Sequence, residues 1–315
     1  MGVTLSKPPT IDPAVQAPPR VAKQSVHKRN ADEVLLTGWR RTGDDRFVVT
    51  ARWPGDHAFY AVRALRHDPL LLSETVRQTF PLLAHEAYEV PFGHHLVWDT
   101  YAWCLEPAVL RADGSEAGLE LRVRAREVVR RRGVVALLSL TYEVARDGIP
   151  LAAASSRFTI QAPAVYRRLR GDHADQAAIR PAPVPQPVSA AEVGRADPHD
   201  VVLAPAGTPH RWRLRVDTRH SVLFDHPVDH VPGMLLLEAA QQAARAVCGR
   251  PAGRVTAMDT RFHRYTELDA PAWIEARRTG ADTVGRARLS VTGTQNGHEV
   301  FSCSVTLDET GPGHR

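Results

Sequence analysis

Pro232-Gly233-Met234-Leu235-Leu236-Leu237-Glu238-Ala239-Ala240-Gln241-Gln242-Ala243-Ala244-Arg245 is a Pro-Gly step opening an almost wholly apolar helix that carries one carboxylate. An ionised Glu among Leu and Ala is costly to bury, so Glu238 is expected either to hold its proton more tightly than usual or to meet a partner. The same device stands earlier, in Asp68-Pro69-Leu70-Leu71-Leu72-Ser73-Glu74-Thr75-Val76-Arg77-Gln78. Glu74 and Gln78 mirror Glu238 and Gln242, each Gln one helical turn after its Glu. Two copies imply a duplicated fold, with a site on each helix or one site shared between them.

Strand patterns surround both helices. Arg46–Trp53 precedes the first, whose periodicity runs from about Pro69 to Tyr88, and His95–Cys104, Leu119–Val129, Val134–Val144 and Leu151–Ile160 follow it. In the second half, Arg211–Val216 and Ser221–Phe224 precede the helix Met234–Val247. Strands near Val255–Phe262, Trp273–Thr279, Arg286–Thr292 and Val300–Leu307 come after. Arg130-Arg131-Arg132-Gly133, Arg146-Asp147-Gly148-Ile149 and Gln295-Asn296-Gly297-His298 read as hairpin turns. A long apolar helix wrapped by an antiparallel meander is an α+β plan, the hotdog layout, present here in tandem. The two sheets are expected to pair edge to edge.

Residues 1–30 are Pro-rich and polar and are expected to form a disordered tail. Residues 31–170 form the first hotdog domain and 210–310 the second. Between them, 171–209 reads as a semi-rigid linker, because Pro181, Pro183, Pro185, Pro187, Pro198, Pro205 and Pro209 oppose helix and central strand.

The chain has 315 residues, 43% hydrophobic and 24% charged, enough for two cored domains. A net charge of +5, without a basic stripe carrying interleaved aromatics, suits small acidic or phosphorylated partners rather than nucleic acid. Cys104, Cys248 and Cys303 are scattered and odd in number, which argues for a reducing cytoplasm and against a disulfide framework. No apolar run is long enough for a signal peptide or a bilayer span. Absence of P-loop, GxGxxG, GxSxG and HExxH patterns removes the usual support for nucleotide, nicotinamide, serine-hydrolase and zincin chemistry.

Gly233 is expected to let a ligand approach the helix N-terminus, where unpaired N–H groups favour a carbonyl oxygen or oxyanion. Glu238, with a raised pKa, would exchange a proton with a substrate hydroxyl, and Gln242 would orient it. Self-satisfaction of the Glu–Gln pair across a helix interface is the alternative, and Glu238 is favoured over Glu74 as the active copy. His226, Asp229 and His230 crowd one loop; their spacing is a weak metal pattern, and positioning or capping fits better. Arg77 and Arg245 are candidates for holding a phosphate. Gly93, in Pro91-Phe92-Gly93-His94-His95, is expected to end the first helix.

The second helix motif is similar to the β-hydroxyacyl-ACP dehydratases, although His226 and His230 stand at other distances from the Pro-Gly step. Across nearly the whole chain, Val26-His27-Lys28-Arg29, Glu33-Val34-Leu35-Leu36-Thr37-Gly38-Trp39, the two helix motifs, Val90-Pro91-Phe92-Gly93-His94 and Asp225-His226-Pro227-Val228-Asp229-His230-Val231 resemble the A-factor biosynthesis family of actinomycetes. That resemblance implies a tandem hotdog acyltransferase of γ-butyrolactone, furan or butenolide signal biosynthesis. It would move a β-ketoacyl group from acyl carrier protein to the hydroxyl of dihydroxyacetone phosphate, without metal or redox cofactor. Glu238 and Glu74 would be catalytic, and Gly233, Gln242, Gln78, Arg77, Arg245, Asp229 and His230 would bind substrate. Family members commonly carry an Arg three residues after the second Glu, where this chain has Gln241; Arg77 keeps that place in the first half. Other readings are a non-catalytic acyl-binding regulator and an acyl-ACP dehydratase or thioesterase.

Overall fold

Alternating buried and exposed side chains make the long strands one-faced, as in Ala117–Arg131 and Ala287–Gln295, so each needs apolar cover on a single side. The apolar helices supply it. In the computed structural model, which describes residues 21–61 and 65–310, the first half contains β1 (Leu36–Gly43), β2 (Arg46–Trp53), α1 (Leu70–Leu82), β3 (His95–Leu105), β4 (Ala117–Arg131), β5 (Val134–Arg146) and β6 (Ile149–Gln161). A short helix, α2 (Pro163–Arg170), follows. The second half contains β7 (Leu203–Pro205), β8 (Arg211–Leu214), α3 (Gly233–Cys248), β9 (Arg254–Phe262), β10 (Ala272–Ala281), β11 (Ala287–Gln295) and β12 (His298–Asp308).

All strands join one twelve-stranded sheet in the order β1-β2-β4-β5-β6-β3-β9-β12-β11-β10-β8-β7. Read outward from the centre, each half repeats the other, and the seam is the antiparallel β3–β9 pair, with Tyr101 opposite Thr260 and Trp103 opposite Met258. The expected tandem hotdog with edge-to-edge pairing is what the fold contains. Both helices are buried nearly all round and touch each other. At each of the three hairpins both central residues have positive φ: Arg132 (51°) and Gly133 (84°), Asp147 (50°) and Gly148 (79°), Asn296 (51°) and Gly297 (78°).

Several expectations are corrected. Within the expected linker, 171–209, residues 187–209 are built into the second half. Val193, Val201, Val202, Leu203 and Ala204 are core residues, and β7 pairs with β8 at the sheet edge, where a terminal Pro205 costs no ladder bond. The expected tail is folded from Val21 on, with a 3₁₀ turn at Lys23–Val26 and Val26 in the core, while 1–20 lie outside the described residues. Ser221–Phe224 is a turn rather than a strand; His220 Nδ1 accepts from the N–H groups of Val222 and Leu223. β1 escaped the pattern because its outer half, an edge, is exposed. Gly93 is no helix cap: the first helix passes from α1 into a π turn at Leu83–Ala87.

Candidate active site

In the first half the helix carboxylate is clamped by cations. Arg77 donates from Nε to Glu74 Oε2 (2.9 Å) and from Nη2 to Oε1 (2.7 Å), and Lys28 Nζ lies 3.0 Å from Oε1. Burial alone would raise the Glu74 carboxyl, but Arg77 and Lys28 outweigh it and hold the group well below the usual carboxylate range. Of the two outcomes expected for a carboxylate in an apolar helix, a raised pKa or a partner, Glu74 takes the second and stays ionised.

Gln78 and Gln242 are tethers. Gln78 Nε2 donates to Glu74 Oε1 (2.9 Å) and to the Glu33 carbonyl (2.7 Å), and its Oε1 accepts the Leu35 N–H (2.9 Å). Gln242 repeats this with Glu238 Oε1 (2.6 Å), the Asp200 carbonyl (2.9 Å) and the Val202 N–H (3.0 Å). Both are fully buried and join a helix to the segment entering an edge strand.

Arg195, from the segment read as a linker, takes the place of Lys28. Its Nε donates to Glu238 Oε1 (2.7 Å), its Nη2 pairs with Oε2, and Gln241 Nε2 donates to Oε2 (3.2 Å). Lys28-x4-Glu33-x-Leu35 and Arg195-x4-Asp200-x-Val202 are the same element used twice, a repeat that sequence reasoning missed. Gln241 stands where Arg77 stands in the first half and supplies an amide N–H in place of a charge, so Arg195, 43 residues upstream of Glu238, carries the pairing charge.

Past the two carboxylates the halves diverge. Arg195 Nη2 also pairs with Asp68 (3.4 Å), whose Oδ1 accepts the Leu70 N–H at the start of α1 (2.9 Å). The Phe59 ring covers the Arg195 guanidinium at 4.2 Å, and Arg195 and Glu238 side chains are 0% exposed. Asp68 thereby caps α1 with an internal anion and closes the second copy. Pro232 and Gly233 stand where Asp68 and Pro69 stand in the first half, so no side chain caps α3. There the first copy opens into a cavity of about 860 Å³.

That cavity joins both halves. Lys28, Arg29, Glu74 and Arg77 line it beside His226, while Phe80, Trp98, Phe158, Met234, Leu236 and Phe262 make its apolar wall. Gly233 is at its edge for a steric reason: a Cβ there would lie 2.9 Å from Trp98 Cε3. The expected freedom for ligand approach is in fact occupied by this ring, though Pro232, Gly233 and Met234, at the uncapped start of α3, are among the cavity's lining residues. His27 also lines it. His85 Nδ1 lies 2.7 Å from the Val90 carbonyl and must donate to it, and His85 Nε2 lies 2.9 Å from His27 Nε2. Burial, with His85 and Arg77, lowers His27 to about 3, leaving it neutral.

A second polar cluster frames the cavity on the α2 side. His230, which lines it, has Nδ1 2.6 Å from Asp229 Oδ1. The Tyr166 hydroxyl lies 2.7 and 2.6 Å from the two Asp229 oxygens, and Arg170 Nε donates to Oδ2 (3.3 Å). Burial would raise the Asp229 carboxyl, but hydrogen bonds from His230 and Tyr166 and the Arg170 charge hold it well below the ordinary range.

Of the expected site residues, the structure brings Glu74, Arg77, Gly233 and His230 to one cavity, with Asp229 behind His230. Glu238, Gln78, Gln242 and Arg245 are not among its lining residues; Arg245 is buried, its Nε donating to the Gly253 carbonyl (3.1 Å). Glu74 lines the cavity, whereas Arg195 and Asp68 enclose Glu238. Among the described residues no cluster of three or more His, Cys, Asp or Glu could hold a metal ion, and no helix is long and apolar enough to cross a membrane.

Comparison with known proteins gives the family. The model of the A-factor biosynthesis hotdog domain matches residues 10–162 and 176–309. A Streptomyces virginiae protein named 2-oxo-3-(phosphooxy)propyl 3-oxoalkanoate synthase is 43% identical over 90% of this chain and 96% of its own length. One of the same name from Streptomyces coelicolor is 42% identical over 89% of each. Among solved structures, a putative oleoyl thioesterase from Lactobacillus plantarum aligns with TM-score 0.53 at 13% identity, over 84% of this chain and 97% of that one. An acyl-ACP thioesterase from Bacteroides thetaiotaomicron aligns with TM-score 0.52 at 12% identity, over 83% and 98%. These structures share the fold alone. The chain belongs to the A-factor biosynthesis hotdog family.

Proposed function

We propose that this enzyme transfers a β-ketoacyl group from an acyl carrier protein thioester to the hydroxyl of dihydroxyacetone phosphate, forming the 2-oxo-3-(phosphooxy)propyl 3-oxoalkanoate for which its relatives are named. The observation that carries this reading is the composite cavity, cationic beside Glu74 and apolar along α1, β3, β6 and β9. Lys28 and Arg77, held in place by Glu74, with Arg29, supply charge for the phosphate. The uncapped N-terminus of α3 polarises the thioester carbonyl and stabilises its oxyanion, while the apolar wall takes the acyl chain.

The regulatory reading rested on Gln241, which is not among the lining residues of the cavity. The test is to incubate the purified chain with a β-ketoacyl-ACP and dihydroxyacetone phosphate and follow products by mass spectrometry. The phosphorylated ester is expected. Free β-keto acid alone would mark a thioesterase, and donor left intact would remove the catalytic reading.

A further inference from the structure

Acyl transfer needs a group that takes the proton from the attacking hydroxyl and returns it to the departing thiolate. Glu74 is poorly suited, since Arg77 and Lys28 hold its carboxylate strongly ionised. His226 lies at the cationic end: burial and Arg77 lower its pKa, and its Nδ1 is 3.7 Å from Asp225, whose two oxygens accept the Arg29 and Asn30 N–H groups at 2.6 and 3.0 Å. His27 is lowered further still, to about 3.

His230 is differently placed. Asp229 is ionised and can only accept, so His230 Nδ1 is the donor across their 2.6 Å contact and the neutral ring carries its lone pair on Nε2. Tyr166 and Arg170 fix the carboxylate from behind. Arg170 itself is locked to Glu267 by donations of 2.6 and 2.7 Å. No described side chain hydrogen-bonds to His230 Nε2, and the ring lines the cavity three residues before Gly233. The charged and titratable groups around it are Asp229, Tyr265 at 4.9 Å between ring centres, Glu267 on the bridged strand segment, and His95.

We infer that His230 is the proton-transfer residue of this site, with Asp229 as its positioning partner; the inference rests on the acyl-transfer reading above. Nε2 accepts the proton of the dihydroxyacetone phosphate hydroxyl as that oxygen bonds to the thioester carbon. The tetrahedral oxyanion forms at the α3 N-terminus and collapses with cleavage of the C–S bond. The proton then passes from Nε2 to the carrier thiolate, leaving ester and free thiol and His230 neutral again. Asp229 keeps the tautomer throughout.

The test uses the full chain with a β-ketoacyl-ACP and dihydroxyacetone phosphate, measuring kcat/KM for ester formation across pH. His230→Asn retains an N–H for Asp229 but has no Nε2. It is expected to lose about 10²- to 10⁴-fold at neutral pH and to abolish the acid-side fall in rate, with an unchanged melting temperature. His226→Asn is expected to raise KM for dihydroxyacetone phosphate while keeping the acid-side fall. Independently of any variant, ¹⁵N shifts of the wild-type chain are expected to show neutral His230 protonated at Nδ1. Wild-type rates or a wild-type acid limb in His230→Asn, or an Nε2-protonated neutral ring, overturn the assignment alone. No ester from the wild type overturns the acyl-transfer reading and this assignment with it.

Discussion

Glu74 and Glu238 occupy equivalent positions on equivalent helices, yet only Glu74 of the two lines the cavity, and the difference lies in the residue opposite each cation. Asp68 meets Arg195 and closes one copy, whereas Pro232 and Gly233 leave the α3 end open beside Lys28. Arg195→Ala would strand Glu238 and Asp68 as buried unpaired carboxylates. A loss of about 3–5 kcal/mol is expected, read from urea denaturation; an unchanged midpoint would show that the triad is not holding the fold. Sequence reading found both carboxylates because an acidic residue in a leucine run stands out. It missed Lys28 and Arg195 because a cation so far from its partner along the chain leaves no local pattern, and the search at i+3 met only Gln241.

Helices and hairpins were legible because helical periodicity and Asn-Gly or Asp-Gly turns are local signals, here matched by positive φ at both central residues. Edge strands were not. β1 and β7 are secured by side chains from the helices, Gln78 for one and Gln242 for the other, and neither alternates cleanly. Gln242→Leu would leave the Val202 N–H and Asp200 carbonyl without these bonds and is expected to cost about 1–3 kcal/mol. Gln78→Leu should cost a similar amount, since the same contacts recur. Matched thermal melts check this, and a large disparity would show that the two tethers are not equivalent.

Across the whole molecule, duplication in one chain lets the copies specialise: a cavity built from α1 of one half and the α3 entrance of the other needs both halves in register across the β3–β9 seam. The tandem architecture was readable from repeated element order, but which copy stays open was not, since that depends on contacts between halves. The buried histidines also set an acid limit on the fold. Burial lowers His27 to about 3 and His67 to about 4, so between those values and the ordinary pKa near 6.5 the unfolded chain binds more protons. Stability from this source is complete above about pH 6.5 and is lost as pH falls, by up to about 1.4 kcal/mol per unit per histidine. His27→Asn, whose new residue tolerates the 52° φ at this position, is expected to flatten that slope in urea titrations at successive pH; an unaltered slope would remove His27 as a cause.

Glu74→Gln and Glu238→Gln, compared side by side for kcat/KM of ester formation per folded chain, measure directly whether one copy is open and the other sealed. Glu74→Gln is expected to fall by about 10²-fold or more, while Glu238→Gln keeps the wild-type rate even as its urea midpoint drops. Full activity in Glu74→Gln with loss in Glu238→Gln would contradict the account.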